Sequence, residues 1–184
     1  MDQLACRRCH VSAGRGNRLA VSLDSSAARK TAGELVSSIK HPVANMPNFG
    51  LAEEQITTLV NSILAGAQGR KTPVTAPVQV HFNTSGKKSV DIFSMKCGSC
   101  HRILSERSGA LGTGDIGPNL SGILSENYPK TFRNSEVWNR ANLKLWLKNP
   151  REIRPWARMQ PVTLTEKELI ELDSIITISS DPNM

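Results

Sequence analysis

An all-α chain of two small helical domains is what this sequence predicts, and three observations predict it. The string Cys-x-x-Cys-His occurs twice, at residues 6–10 and 97–101. Each copy is followed by the same order of segments: an amphipathic stretch ending at proline, a methionine flanked by proline, and a final apolar stripe. The stripes recur at helical spacing behind helix-start signals. The length of 184 residues suits one ordinary domain or two small ones. Eight aromatic residues (Phe 4, Trp 3, Tyr 1) are few for two independent cores. Two small domains so composed need another apolar filler.

The repeat fixes the elements in order. Leu35-Val36-Ser37-Ser38-Ile39-Lys40-His41-Pro42 matches Leu143-Lys144-Leu145-Trp146-Leu147-Lys148-Asn149-Pro150 at an offset of 108. Beyond the methionine the offset is 113, so Met46, Leu51, Leu59 and Ile63 fall on Met159, Leu164, Leu172 and Ile176. Thr31 with Glu34, and Thr165 with Glu168, have capping-box spacing and open two of the predicted helices. Ile56, Leu59, Val60, Ile63 and Leu64 give one buried helical face; Leu169, Leu172, Ile175 and Ile176 repeat it less fully. From 65 to 89 the chain turns to Gly, Pro, Thr and Lys and reads as a linker, with a short alternating strand at Val78-Gln79-Val80-His81-Phe82. The predicted domains are residues 1–66 and 89–184, with 67–88 between them. No window reaches the ~18 apolar residues of a membrane helix.

Chemistry starts from the cysteines. All four lie in the two strings: Cys6 and Cys9 before His10, and Cys97 and Cys100 before His101. A zinc ribbon takes both pairs as thiolates with ~15–20 residues between them and gives no reason for the histidines. A redox dithiol explains one pair but wants a βαβ setting. Covalent c-type haem attachment explains all six residues, two thiols on the porphyrin vinyls and the histidine on the iron.

A second axial ligand then decides what such a haem does. Met1 and Met184 are terminal, and Met95 lies two residues before Cys97, on the proximal side. Met46 and Met159 remain, one after each motif, each beside a proline that holds its loop extended. Either could instead be core filler. His41, in the loop before Pro42, is the alternative to Met46 and would lower that haem's potential. His81 reads as a linker residue. A His/Met iron is six-coordinate with no open position, which favours one-electron transfer over catalysis. No Gly-x-Ser-x-Gly, Walker loop or full Gly-x-Gly-x-x-Gly is present. Gly112-Thr113-Gly114 reads as a turn over the haem edge.

These residues resemble class I cytochromes c, and the whole chain is similar to tandem two-haem cytochromes c of bacterial electron-transfer chains. Phe93 takes the family's aromatic position on the first helix, and Gly117-Pro118-Asn119-Leu120 its Gly-Pro turn. The resemblance implies that the Pro118 carbonyl accepts a hydrogen bond from the proximal His101. It also implies two helical domains, each wrapped around one haem c. The first half departs from the pattern. Its leading helix is a stub of five residues, and Gly16-Asn17-Arg18-Leu19 stands where the Gly-Pro turn is expected. His10 and Met46 are 36 positions apart, against 58 for His101 and Met159. Ser62 and Ser174 replace the family's last-helix aromatic. The stub suggests a signal peptide or membrane anchor upstream, the only segment through which membrane association is expected.

Charge points to the partner. Residues 1–68 carry 7 basic and 5 acidic side chains, residues 69–164 carry 15 and 6, and the whole chain is +7. Arg140, Lys144, Lys148, Arg151, Arg154 and Arg158 lead into Met159, opposed only by Glu152. Such a row either docks an acidic redox protein or is a solvated face. Nucleic acid is not expected as a partner of a haem protein assembled outside the cytoplasm. The expectation is a periplasmic two-haem electron carrier, or the cytochrome subunit of a larger membrane redox complex. A small peroxidase-like haem enzyme or sensor with an open distal site on haem 1 is the alternative.

Overall fold

The computed structural model describes residues 1–43, 45–69 and 90–179. The chain divides into two compact units, Met1–Val80 and His81–Met184. Most of the predicted linker, with His81 and the strand expected at 78–82, lies outside the described residues. The fold is mostly helical.

The first unit holds α1 (Leu23–Arg29), α2 (Ala32–Lys40) and α3 (Glu53–Ala67). Thr31 closes the expected capping box: its hydroxyl accepts from the Glu34 N–H, and the Glu34 carboxylate accepts from the Thr31 N–H at 2.8 Å. α2 stops at His41, before Pro42, where a prolyl ring forbids another helical turn. The Gln55 side chain caps α3 by accepting from the Ala52 N–H at 2.9 Å. Leu35, Ile39, Ile56, Leu59, Val60 and Ile63 form the core, with Met1, Leu4, Leu23 and Leu64 packed against it. The Lys40 ammonium reaches the Glu53 carboxylate across the α2–α3 connection.

The second unit holds α4 (Ile92–Lys96), α5 (Arg140–Lys148), α6 (Pro150–Ile153) and α7 (Glu166–Ile176). The repeat offsets carry Ala32 onto Arg140 and Glu53 onto Glu166, so both helix starts coincide in the two units. Asp91 caps α4 and Asn139 caps α5, while Thr165 and Glu168 form the second expected capping box. α4 lies against α7, whose Glu171 carboxylate accepts the Ile92 N–H at 3.0 Å. Ile92, Phe93, Ile103, Ile123, Tyr128, Leu147, Leu172, Ile175 and Ile176 form the core. Phe93, at the expected aromatic position, is fully buried.

Two features go beyond the elements the sequence predicts, and the first also departs from an all-α fold. β1 (Ile103–Ser105) and β2 (Gly109–Leu111) pair antiparallel, with Ile103 opposite Leu111 and Ser105 opposite Gly109. The strands are only three residues each, too short for periodicity to reveal. α1 is the second feature; Ser22 caps it by accepting the Ser25 N–H, and Leu23 and Ala27 pack on the core. Among the described residues, no helix is long and apolar enough to cross a membrane.

Candidate functional site

Both Cys-x-x-Cys-His strings fold into one tight turn, in which the histidine N–H donates to the carbonyl of the first cysteine: His10 to Cys6 at 3.0 Å and His101 to Cys97 at 2.9 Å. The segments after the two strings differ in sequence and length, yet they return to the turn through matching bonds. The N–H of Asn17 donates to Arg7, as Gly114 does to Gly98. Ala20 donates to the Cys9 carbonyl, as Gly117 does to Cys100, both within 2.9 Å. Leu23 donates to Val11, as Leu120 does to Arg102, both at 2.8 Å. Each histidine ring is then held by one carbonyl: His101 Nδ1 lies 2.8 Å from Pro118 O, and His10 Nδ1 lies 2.7 Å from Val21 O.

The Pro118 contact is the one implied by the resemblance. The register expected in the first unit is corrected by these bonds. Ala20-Val21-Ser22-Leu23, not Gly16-Asn17-Arg18-Leu19, stands where Gly117-Pro118-Asn119-Leu120 stands in the second unit. The acceptor is a main-chain carbonyl, which valine supplies as well as proline. No side-chain signature therefore marks Val21. Gly16 does another job: a Cβ there would lie 2.2 Å from the His10 carbonyl, as a Cβ on Gly112 would lie 2.1 Å from that of His101.

The connection to the turn is where the units diverge. The β1–β2 hairpin of the second unit is reduced in the first to one bridge, Ser12 to Arg15, closed by Ala13 and Gly14 in the left-handed region. The Asp24 carboxylate accepts both amides of that turn, Ala13 at 2.7 Å and Gly14 at 3.0 Å. The matching place in the second unit is Ser121, whose buried hydroxyl accepts the Leu104 N–H at 2.7 Å. Gly112-Thr113-Gly114 packs on the Cys-x-x-Cys-His backbone, with Thr113 and Gly114 both donating to the Gly98 carbonyl.

The chemistry of the turns comes from these contacts. A carbonyl only accepts, so each Nδ1 carries the proton and each Nε2 keeps its lone pair. Burial pushes the His10 imidazole down from its ordinary value, against the opposing pull of the Val21 bond, which favours the neutral ring a metal needs. Gly117 lets His101 sit flat on the backbone: a Cβ there would lie 2.2 Å from the ring. No disulfide joins the four cysteines among the described residues. Burial pushes Cys6 up and carries Cys97 to about 11, with Asp91 and Cys100 adding to the latter. Redox dithiols and zinc thiolates draw on lowered thiol pKa values. Among the described residues, no group of three or more His, Cys, Asp or Glu side chains is placed to hold a metal ion. Two cysteines beside one histidine with an uncommitted Nε2 fit a covalently attached haem.

The expected distal ligands are not equivalent. Met159 packs on the second unit's core, as Cys97 does, and the Trp146 indole N–H donates to its sulfur at 3.1 Å. Met46 is half-buried in the loop after α2 and lies outside the first unit's core cluster; its N–H donates to the Val43 carbonyl. His41 is exposed at the end of α2. Of the basic row, Arg140 pairs with Asp173 at 2.5 Å and bonds Thr177. Arg154 lies over the Trp146 ring and donates to the Thr131 carbonyl. Lys144, Lys148, Arg151 and Arg158 are exposed. The row is thus partly structural, which linear sequence could not reveal because Asp173 and Thr131 lie far along the chain. No protein-family model matches the chain, and no solved structure matches it.

Proposed function

We propose that this chain is a di-haem c-type electron carrier of the bacterial periplasm, working alone or as the cytochrome subunit of a membrane redox complex. In this reading Cys6 and Cys9 hold one haem and Cys97 and Cys100 the other. His10 with Met46, and His101 with Met159, ligate the two irons. The observation that carries it is the shared hydrogen-bond frame: two segments of unlike sequence close on Cys-x-x-Cys-His in the same way, each leaving a histidine Nε2 unused. Haem bound so would supply reversible one-electron chemistry. The protein's part is to hold each proximal imidazole by a carbonyl. Lys144, Lys148, Arg151 and Arg158, exposed in the stretch that leads into Met159, would be the groups that dock an acidic partner.

Haem staining and the pyridine haemochrome spectrum of chain matured in a periplasm test the reading. Two covalent haems per chain are expected, and one after either Cys6→Ser with Cys9→Ser or Cys97→Ser with Cys100→Ser. A colourless full-length product would overturn it. Association with an acidic redox protein is expected to slow steeply with ionic strength; a rate indifferent to salt removes the docking face. The position of Met46 outside its core favours one second reading, a small haem enzyme or sensor with an open site on haem 1. Carbon monoxide binding to the reduced protein selects that reading, and its absence selects the carrier.

A further inference from the structure

We propose that Trp146 is a positioning residue for Met159, and that it makes the iron site of the second unit the higher in reduction potential. The inference rests on the di-haem reading. The indole N–H lies 3.1 Å from the Met159 sulfur, short for a thioether acceptor. A thioether has two lone pairs, so the indole takes one and leaves the other for iron.

The donor is held by two contacts of its ring. Trp138 meets Trp146 edge-on at 5.6 Å, and Phe132 meets Trp138 in the same way at 5.2 Å. The Arg154 guanidinium also stands over the Trp146 ring, 5.1 Å from its centroid. Thr131 ties both arms down: its hydroxyl accepts the Trp138 indole N–H at 2.9 Å, and its carbonyl accepts Arg154. The sulfur therefore meets a fixed N–H dipole on a ring that also carries a cation over it. Both favour the state carrying one more electron, and hydrogen bonding around an axial ligand is a recognised lever on potential.

Among its described residues the first unit has no such device. The repeat places Ser38 where Trp146 stands, and its hydroxyl donates to the Glu34 carbonyl at 2.8 Å while accepting from the Lys30 ammonium. Arg154 falls in the stretch where the repeat offset changes from 108 to 113, and it has no counterpart. The indole N–H and the Arg154 cation act on the second unit's sulfur, so a half-reduced chain holds its electron there.

Potentiometric titration of the holoprotein tests this. Two one-electron midpoints are expected, with the upper one falling in Trp146→Phe and the lower one unmoved. A fall of up to about tenfold in the reduction equilibrium constant, about 59 mV for one electron, is the expected scale. The near-infrared Met-to-iron band separates the two ways the indole acts. If the band is kept, the hydrogen bond tunes the sulfur; if it is lost along with the upper midpoint, the indole holds the sulfur in place. Arg154→Gln leaves the indole intact and should lower the same midpoint by less, which keeps the idea testable if Trp146→Phe folds poorly. Unchanged midpoints in both variants, or movement of the lower one alone, would overturn it. A wild-type chain without covalent haem would instead overturn the di-haem reading itself.

Discussion

The two units build the same turn from largely different residues, sharing one glycine pressed on the histidine carbonyl, Gly16 or Gly112. The second surrounds Cys97–x–x–Cys100–His101 with glycines at 98, 112, 114 and 117, each pressed against the backbone or the imidazole, and adds a hairpin and a cluster of aromatic rings. The first does it with Arg7 in place of Gly98, Ala20 in place of Gly117, a two-residue turn in place of the hairpin, and one aromatic, Phe49, among its described residues. The main-chain bonds are nevertheless the same. Backbone amides and carbonyls can carry a site frame while the side chains around it change, because every residue offers the same carbonyl.

Matched substitutions can break this likeness. Leu59 and Leu172 occupy one repeat position, at 8% and 5% exposure in their respective cores. Replacing either by Ala should cost about 2–5 kcal/mol. Native-state hydrogen exchange should show the loss only in the unit that carries the change. Equal loss of protection in both units would mean that they fold as one.

Gly117→Ala and Ala20→Gly address the imidazole seat. The first drives a methyl into the His101 ring and should cost about 1–3 kcal/mol in the second unit. The second removes a methyl that the first unit already accommodates and should cost about 1 kcal/mol at most. Denaturant midpoints of the two variants give the comparison, and an equal cost would show that the two seats are alike after all.

Asp24→Asn sharpens the contrast between the connections. It removes the charge from a buried acceptor of two amides and should destabilise the first unit by about 1–2 kcal/mol. Ser121→Ala removes the corresponding neutral acceptor and should cost about 1 kcal/mol in the second. If the two costs match, the carboxylate adds nothing over a hydroxyl at this place.

The smallest effect is one the units share. The Thr31 and Thr165 backbone N–H groups, then their hydroxyls, hold the Glu34 and Glu168 carboxylates below the ordinary range. A carboxylate lowered on folding contributes stability above its unfolded value and loses it as the pH falls through the lowered one. Helical ellipticity should therefore slip slightly in acid below the usual carboxylate range. Gln at both glutamates should flatten that slope, and a slope left intact would place its origin elsewhere.

The features legible in the sequence are local ones. Thr31 with Glu34, and Thr165 with Glu168, announce their helices within four residues, and the Ile56 and Leu172 stripes announce their faces. Phe93 and Pro118 can be read because the resemblance attaches meaning to those side chains. Val21 cannot, since its carbonyl rather than its side chain does the work. Trp146 stands in the repeat without a role, because its bond to Met159 spans a loop that sequence leaves undirected. Arg140 and Arg154 read as free charge for the same reason: their partners are tertiary.

The Asp24 carboxylate bears on how small such a module can be made. Loop length and acceptor type form a matched set: a two-residue turn presents two inward amides and needs a forked anion, whereas the longer hairpin presents one and is served by the Ser121 hydroxyl. Excising residues 105–109 to miniaturise the second unit would then strand an amide unless Ser121→Asp accompanied the deletion. The first unit is the working template for that compression, and its aspartate is the component that has to travel with the shortened loop.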